Sequence, residues 1–309
     1  VIAPWIFACA AFLLGLLFGS FLNVCIARLP HGESIVKPPS HCPNCKHSIR
    51  WYDNIPVLSW LILRTRCRDC NQRISVLYPL VELTIGIWFS FVTLDFFLPV
   101  LFDWVASDQP FHFERLLSAI SIAILGFLLI GLLVMDWQSL RLPDAFTLTG
   151  TAIALFLLCT QAIFLGPTED QVVLHSPDPI RAAMAASHGN VFLTGPEALI
   201  GGRLVAILAA AGILLAIRAA YKLLRNREGM GLGDVKLIAM ITAFLGFWPA
   251  ILALFLGTLA ASFYAAILLA MRRANRLTRL PFGSFLALGG LAAALFGPAL
   301  IAKYTSLFQ

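Results

Sequence analysis

Leu237 to Met271 reads LIAMITAFLGFWPAILALFLGTLAASFYAAILLAM, 35 residues without an Asp, Glu, Lys or Arg. A helix needs about 20 residues to cross the hydrocarbon of a bilayer, so the run is too long for one span. Trp248-Pro249 divides it, because proline stops a helix and tryptophan favours the membrane interface. Two helices are predicted here, and the same reading extends outward. Trp5 to Ala27, Leu116 to Met135, Ala145 to Thr168 and Leu280 to Ala302 are uncharged runs of 23, 20, 24 and 23 residues. Leu80 to Phe102 carries Glu82 and Asp95, and Ala198 to Ile217 carries Arg203. The runs predict an all-α polytopic membrane protein with eight transmembrane helices. The 309 residues would otherwise allow two soluble domains. With 60% apolar and 12% charged residues and a mean hydropathy of +0.87, a soluble chain could not cover itself. The first run lacks a basic flank and is long for a signal sequence, so it is read as a retained helix.

The formal charge is +6. Its distribution explains it without a nucleic-acid partner. With Val1 outside, residues 28–75, 136–144, 218–236 and 272–279 face the cytoplasm and hold 18 of the 22 Lys and Arg. The positive-inside rule then puts both termini in the periplasm. The division expected is residues 1–28 as transmembrane helix 1, 29–75 as a cytoplasmic loop, and 76–309 as a seven-helix membrane core. The outer loop near 167–196 is polar, mildly acidic and carries no recognisable chemistry.

The cytoplasmic loop contains Cys42-Pro-Asn-Cys45 and, after 21 residues, Cys67-Arg-Asp-Cys70. Two such knuckles supply four thiolates for one tetrahedral Zn2+. Disulfides are the alternative, and a cytoplasmic location disfavours them. A four-thiolate site leaves no open position, so the metal is expected to be structural, organising a zinc-ribbon-like loop with little apolar mass of its own. Cys9, Cys25 and Cys159 lie in apolar runs and are read as packing residues. His31, His41 and His47 are read as solvated.

Two aspartates stand apart. Asp136 ends the run from Leu116, in MDWQSLRLPD, and Asp234 follows glycines in GMGLGDVK. The plain readings are an interfacial helix end for Asp136, N-caps for Asp144 and Asp234, and a snorkelling side chain for Lys236. Geometry favours more for Asp136 and Asp234. Val235 to Phe247 makes only about 20 Å of helix against about 30 Å of hydrocarbon, which draws Asp234 below the inner surface. An ionisable group at that depth is expensive and points to function. Asp136 ends a helix on the same side, so the two carboxyls can meet. Such a pair holds one proton near neutral pH, as aspartic proteolysis requires. No Gly-x-Ser-x-Gly is present.

These residues together resemble the type IV prepilin peptidases (prepilin leader peptidase/N-methyltransferase), membrane aspartic proteases of the Gly-x-Gly-Asp type. The likeness is carried by GSFLNV at 19–24 with Arg28-Leu29-Pro30, the tetracysteine loop with WYDNIP at 51–56, YPLVEL at 78–83, the stretch from Asp136 to Asp144, and GLGDVK at 231–236. One departure is Ser284 in PFGSF at 281–285, where Pro-Phe-Gly-Pro would be more usual. It predicts a less rigid helix start. The resemblance implies Asp136 and Asp234 as the catalytic pair and Cys42, Cys45, Cys67 and Cys70 as zinc ligands. It also implies prepilin and pseudopilin substrates with short basic leaders cut after a glycine, for which Glu82 and Asp144 are candidate contacts, a bacterial inner-membrane location with the active site on the cytoplasmic side, and methylation of the new N-terminus with S-adenosylmethionine.

Overall fold

The computed structural model describes residues 4–106, 113–164, 196–226, 230–272 and 280–306. Most of the outer loop near 167–196 and of the basic segment 272–279 lies outside them. The described residues form helices α1 (Pro4–Arg28), α2 (Leu58–Ile62), α3 (Leu77–Val92), α4 (Leu98–Ala106), α5 (Phe113–Ser139), α6 (Asp144–Phe164), α7 (Pro196–Arg225), α8 (Leu232–Leu245), α9 (Phe247–Ala270) and α10 (Phe282–Thr305). Among these residues six helices are long and apolar enough to cross a membrane: α1, the continuous α3–α4 helix, α5, α6, α7 and α9. α8 has 14 residues, and the described apolar stretch of α10 is also short. No strand is present among the described residues, only two isolated bridges in the cysteine loop.

The chain is apolar inside and out, as a bilayer solvent demands. Leu125, Leu129, Leu132, Leu237, Ile238, Ile241 and Leu286 are fully buried at the centre, while Leu13, Leu17, Phe156, Leu208, Phe255 and Phe263 face outward. Cys25 packs inside as expected, but Cys9 and Cys159 are exposed on the outer face.

Close packing depends on small residues, because lipid tails compete equally well for large apolar ones. α1 crosses α3 through Gly15 and Gly19. A Cβ on Gly15 would lie 2.7 Å from the Gly86 Cα, and one on Gly19 would lie 2.6 Å from the Glu82 Cα. Asn23 continues the seam by donating to the Tyr78 carbonyl at 3.0 Å. α9 and α10 meet at Gly257, where a Cβ would come within 2.9 Å of the Leu286 Cα. Between α3 and α4 a π turn at Thr93–Phe97 precedes Pro99, and the wider turn accommodates a ring that would otherwise crowd the carbonyl four residues back.

The long uncharged run breaks earlier than Trp248-Pro249. The break is at Gly246, whose φ of 89° suits glycine, and α9 starts at Phe247. α8 is therefore about 21 Å long. Its last carbonyls lack partners within the helix, and the Gly246 N–H takes that of Thr242 at 2.8 Å. Arg203, the one charge inside α7's apolar run, supplies further donors: its guanidinium donates to the carbonyls of Thr242 and Phe244, each at 3.3 Å.

Gly19→Ala is expected to lower the unfolding midpoint in a detergent–SDS titration, by the equivalent of about 1–3 kcal/mol, because the atom in the way belongs to the backbone. Gly212→Ala, whose added Cβ meets nothing within 4 Å, is the control and should leave the midpoint in place.

Candidate active site

The site lies where three helix ends meet: the end of α5, the start of α8 and the start of α10. Asp136 is 5% exposed and Asp234 is 8% exposed. Buried carboxyls need donors, and each finds them at a helix start. The helix carrying Asp234 begins at Leu232 with Gly231 as its N-cap, so Asp234 is not itself the cap. It sits in the first turn and accepts the Gly231 N–H at 3.2 Å. Asp136 reaches across to α10. One of its oxygens, Oδ2, accepts the Ser284 N–H at 2.7 Å and faces the Ser284 hydroxyl at 3.1 Å. A Cβ on Gly283 would lie 3.1 Å from that carboxyl, so glycine lets the helix start approach it.

The segments that carry the two carboxyls meet at Leu142. Leu142 is the wedge beside them. A Cβ on Gly233 would meet the Leu142 Cβ at 3.1 Å, and one on Gly283 would meet its Cδ1 at 2.8 Å. Trp137, Tyr264 and Phe285 form an aromatic wall next to Asp136, with ring centroids 5.3 to 6.2 Å apart.

Asp144 and Lys236 are both engaged. The Lys236 ammonium donates to the Asp144 Oδ1 at 2.6 Å, so it pairs with a carboxylate rather than simply snorkelling. Asp144 is the first residue of α6. Glu82 is buried in the α1–α3 seam, and its Oε2 accepts the Val57 N–H at 2.7 Å. Both acids considered above for holding a basic peptide thus already have partners. Ser284, whose expected effect was only a looser helix start, is a ligand of Asp136. Its role depends on a backbone N–H meeting a residue 148 positions away, and no local pattern announces that.

The cysteine loop is built from two matching knuckles. In the first, the Cys42 N–H donates to the His47 carbonyl and the Lys46 N–H to the Cys42 carbonyl. In the second, Cys67 pairs likewise with Gln72 and Asn71 with Cys67. Lys46 and Asn71, each directly after the second cysteine, have φ of 57° and 56°. The four sulfurs lie within 4.8 Å of one another. Cys42 Sγ and Cys70 Sγ are 3.8 Å apart. Two thiolates on one tetrahedral ion with bonds of about 2.3 Å would stand about 3.8 Å apart, so the donor set fits a zinc site. Beside the cluster, Arg68 grips Asp53 at 2.6 and 2.9 Å, and this pairing holds the Asp53 carboxyl below the usual carboxylate range.

Residues 13–96 match the bacterial peptidase A24 N-terminal domain, and residues 122–266 match the type IV leader peptidase family. A prepilin leader peptidase/N-methyltransferase from Stutzerimonas stutzeri is 31% identical, across 97% of this chain and 94% of its own. The chain belongs to the type IV leader peptidase family. Its relatives include a prepilin leader peptidase/N-methyltransferase of Aeromonas hydrophila, 29% identical over 99% of this chain and 96% of that one. The type 4 prepilin-like proteins leader peptide-processing enzyme of Escherichia coli O78:H11 is 34% identical over 90% of each. No solved structure matches the chain.

Replacing Cys42 and Cys70 together by serine is expected to remove tightly bound metal from the purified protein, read by elemental analysis. Hydrogen exchange should then rise across residues 40–74 and stay unchanged in α5 and α8.

Proposed function

We propose that this chain is a membrane aspartic endopeptidase. It cleaves the leader of type IV prepilins and type II secretion pseudopilins after a glycine, at the cytoplasmic boundary of the bacterial inner membrane. It then methylates the new N-terminus. The observation that carries the reading is the pair of buried carboxyls, Asp136 and Asp234, held at adjoining helix ends on either side of Leu142.

The chemistry follows from sharing one proton between two carboxyls. The ionised member takes a proton from a water molecule, which attacks the scissile carbonyl. The protonated member donates to the carbonyl oxygen, and the tetrahedral intermediate collapses as the amine leaves with a proton. Substrate register comes from the bilayer. The apolar helix of the substrate lies among lipid, and its leader junction falls at the depth of Asp136 and Asp234. The basic character of the inner face argues against recognition of a basic leader by net charge.

With α8 and α10 counted as spans, eight helices cross and both termini lie in the periplasm. The basic residues support this orientation. Cys42, Cys45, Cys67 and Cys70 hold a structural Zn2+ that orders the cytoplasmic loop. S-adenosylmethionine is the methyl donor. A cleft of about 540 Å³, lined by Ile26, Pro30, His31, Met135, Gln138 and Arg141, opens one turn from Asp136. Its size and mixed lining fit such a donor: apolar surface for the adenine and the Arg141 guanidinium for the carboxylate.

Asp136→Asn and Asp234→Asn are each expected to lower prepilin cleavage by at least about 1000-fold while the protein still inserts and elutes as the wild type does. Purified enzyme, prepilin and detergent, followed by mass spectrometry, provide the measurement. Near-normal cleavage by either variant would overturn the pair. Adding S-adenosylmethionine to the wild-type mixture should give a product heavier by one methyl group.

A further inference from the structure

α2 is built inside out. Leu58, Leu61 and Ile62 stand three and four residues apart on one face and are 49%, 59% and 65% exposed. The polar groups of the helix turn inward. Ser59 is buried and donates its hydroxyl to the Tyr52 carbonyl at 3.1 Å, and the Trp60 indole N–H donates to the Ile74 carbonyl at 3.4 Å. A helix on the surface of a soluble domain has the reverse pattern, apolar inward and polar outward.

The level at which α2 sits decides what faces it. Its N-cap, Val57, donates its N–H to the Glu82 Oε2 at 2.7 Å. Glu82 stands level with Gly19 of α1, because a Cβ on Gly19 would lie 2.6 Å from the Glu82 Cα. Arg28, the first charge after the run from Trp5, comes nine residues beyond Gly19, about 13 Å further along the helix. A glutamate side chain and one hydrogen bond fall short of that distance. The start of α2 therefore lies nearer the bilayer centre than Arg28 does, alongside the span. Backbone at that depth must be paired. The N–H of Val57 has its carboxylate, and those of Ser59, Leu61, Leu63 and Arg64 have carbonyls. Val57 has φ of 60°, a costly conformation for a β-branched residue, so its place is held by its surroundings, Glu82 among them. The next exposed side chains along the chain are Arg64 and Arg66, and long basic side chains beside an apolar face extend to the headgroups.

We propose that α2 is an interfacial helix that docks the cysteine loop on the bilayer. Leu58, Leu61 and Ile62 lie among the acyl chains of the leaflet on that side, and Arg64 and Arg66 lie at its phosphates. The occupant of the apolar face is phospholipid. The inference needs α1 and α3 to span the bilayer, and depends neither on proteolysis nor on the metal.

The whole wild-type chain in nanodiscs of phosphatidylcholine and phosphatidylglycerol tests it. A phospholipid carrying a diazirine on its acyl chain is photolysed there, and the adducts are mapped by mass spectrometry. The outward face of α9, with Phe255 and Phe263, is the lipid standard. Residues 68–73, whose exposed side chains are all polar, are the aqueous standard. The adduct yield per residue on Leu58–Ile62 is expected within about 3-fold of that on the α9 face and at least about 10-fold above that on 68–73. Hydroxyl-radical oxidation, normalised to the chain unfolded in SDS, should run the other way: slow at Leu58, Leu61 and Ile62, fast at 68–73. An adduct yield on α2 no higher than on 68–73 overturns the proposal. So does oxidation of the three apolar side chains as fast as that of the aqueous standard, which is the result for a face that is wet until a protein partner covers it.

Discussion

A carboxylate taken out of water costs several kcal/mol unless donors replace its hydration. At the end of α5 that requirement falls on Asp136, and the start of α10 meets it. Helix starts have the converse problem, since their first N–H groups have no partner within the helix. The two deficits cancel when the helix ends meet. The Ser284 N–H finds an acceptor, Asp136 finds donors, and Gly283 adds no side chain that would hold the two apart. Asp234 solves the same problem within its own helix by turning back to the Gly231 N–H. Docking α10 on α5 is therefore a condition of burying Asp136 at all.

Depth is the second constraint. A helix of ordinary membrane length carrying Asp234 would put its start in the headgroups. α8 has only 14 residues. It ends at Gly246, whose N–H donates to the Thr242 carbonyl at 2.8 Å, and Arg203 donates to the carbonyls of Thr242 and Phe244. A charge in the middle of an apolar helix is expensive on its own. Here it is offset in part, because the guanidinium donates to the carbonyls at the end of α8.

Helix positions were legible because lipid leaves a simple mark: long apolar runs delimit α1, α5, α6 and α9 without reference to partners. The tetracysteine cluster was legible because ligand spacing within each knuckle is local. What was hidden depends on meetings between distant segments. The break at Gly246 rather than Trp248-Pro249 needs Arg203 from another helix. The role of Ser284 needs the approach of α10 to α5. The pairing of Lys236 with Asp144 joins the starts of α8 and α6, and either residue alone reads as an ordinary interfacial charge. Cys9 and Cys159 were misread as packing residues because an apolar run gives no indication of which face meets lipid.

The cysteine loop has little apolar mass of its own, yet its root touches the stretch from Asp136 to Asp144. Arg28 ties the end of α1 to the Ser34 carbonyl at 3.0 Å, and Glu82 holds Val57 against α3. Arg141 reaches back from the stretch between Asp136 and Asp144 to the Pro30 carbonyl at 3.1 Å. That stretch contains Leu140, with φ of 54°, and the Leu142 wedge against Gly233 and Gly283. A connection with a strained residue keeps its course only if both sides are anchored. α5 and α6 anchor it along the membrane axis, and the root of the loop anchors it laterally. The root of the cysteine loop therefore helps to fix the segment whose leucine lies between Gly233 and Gly283, beside Asp234 and Asp136.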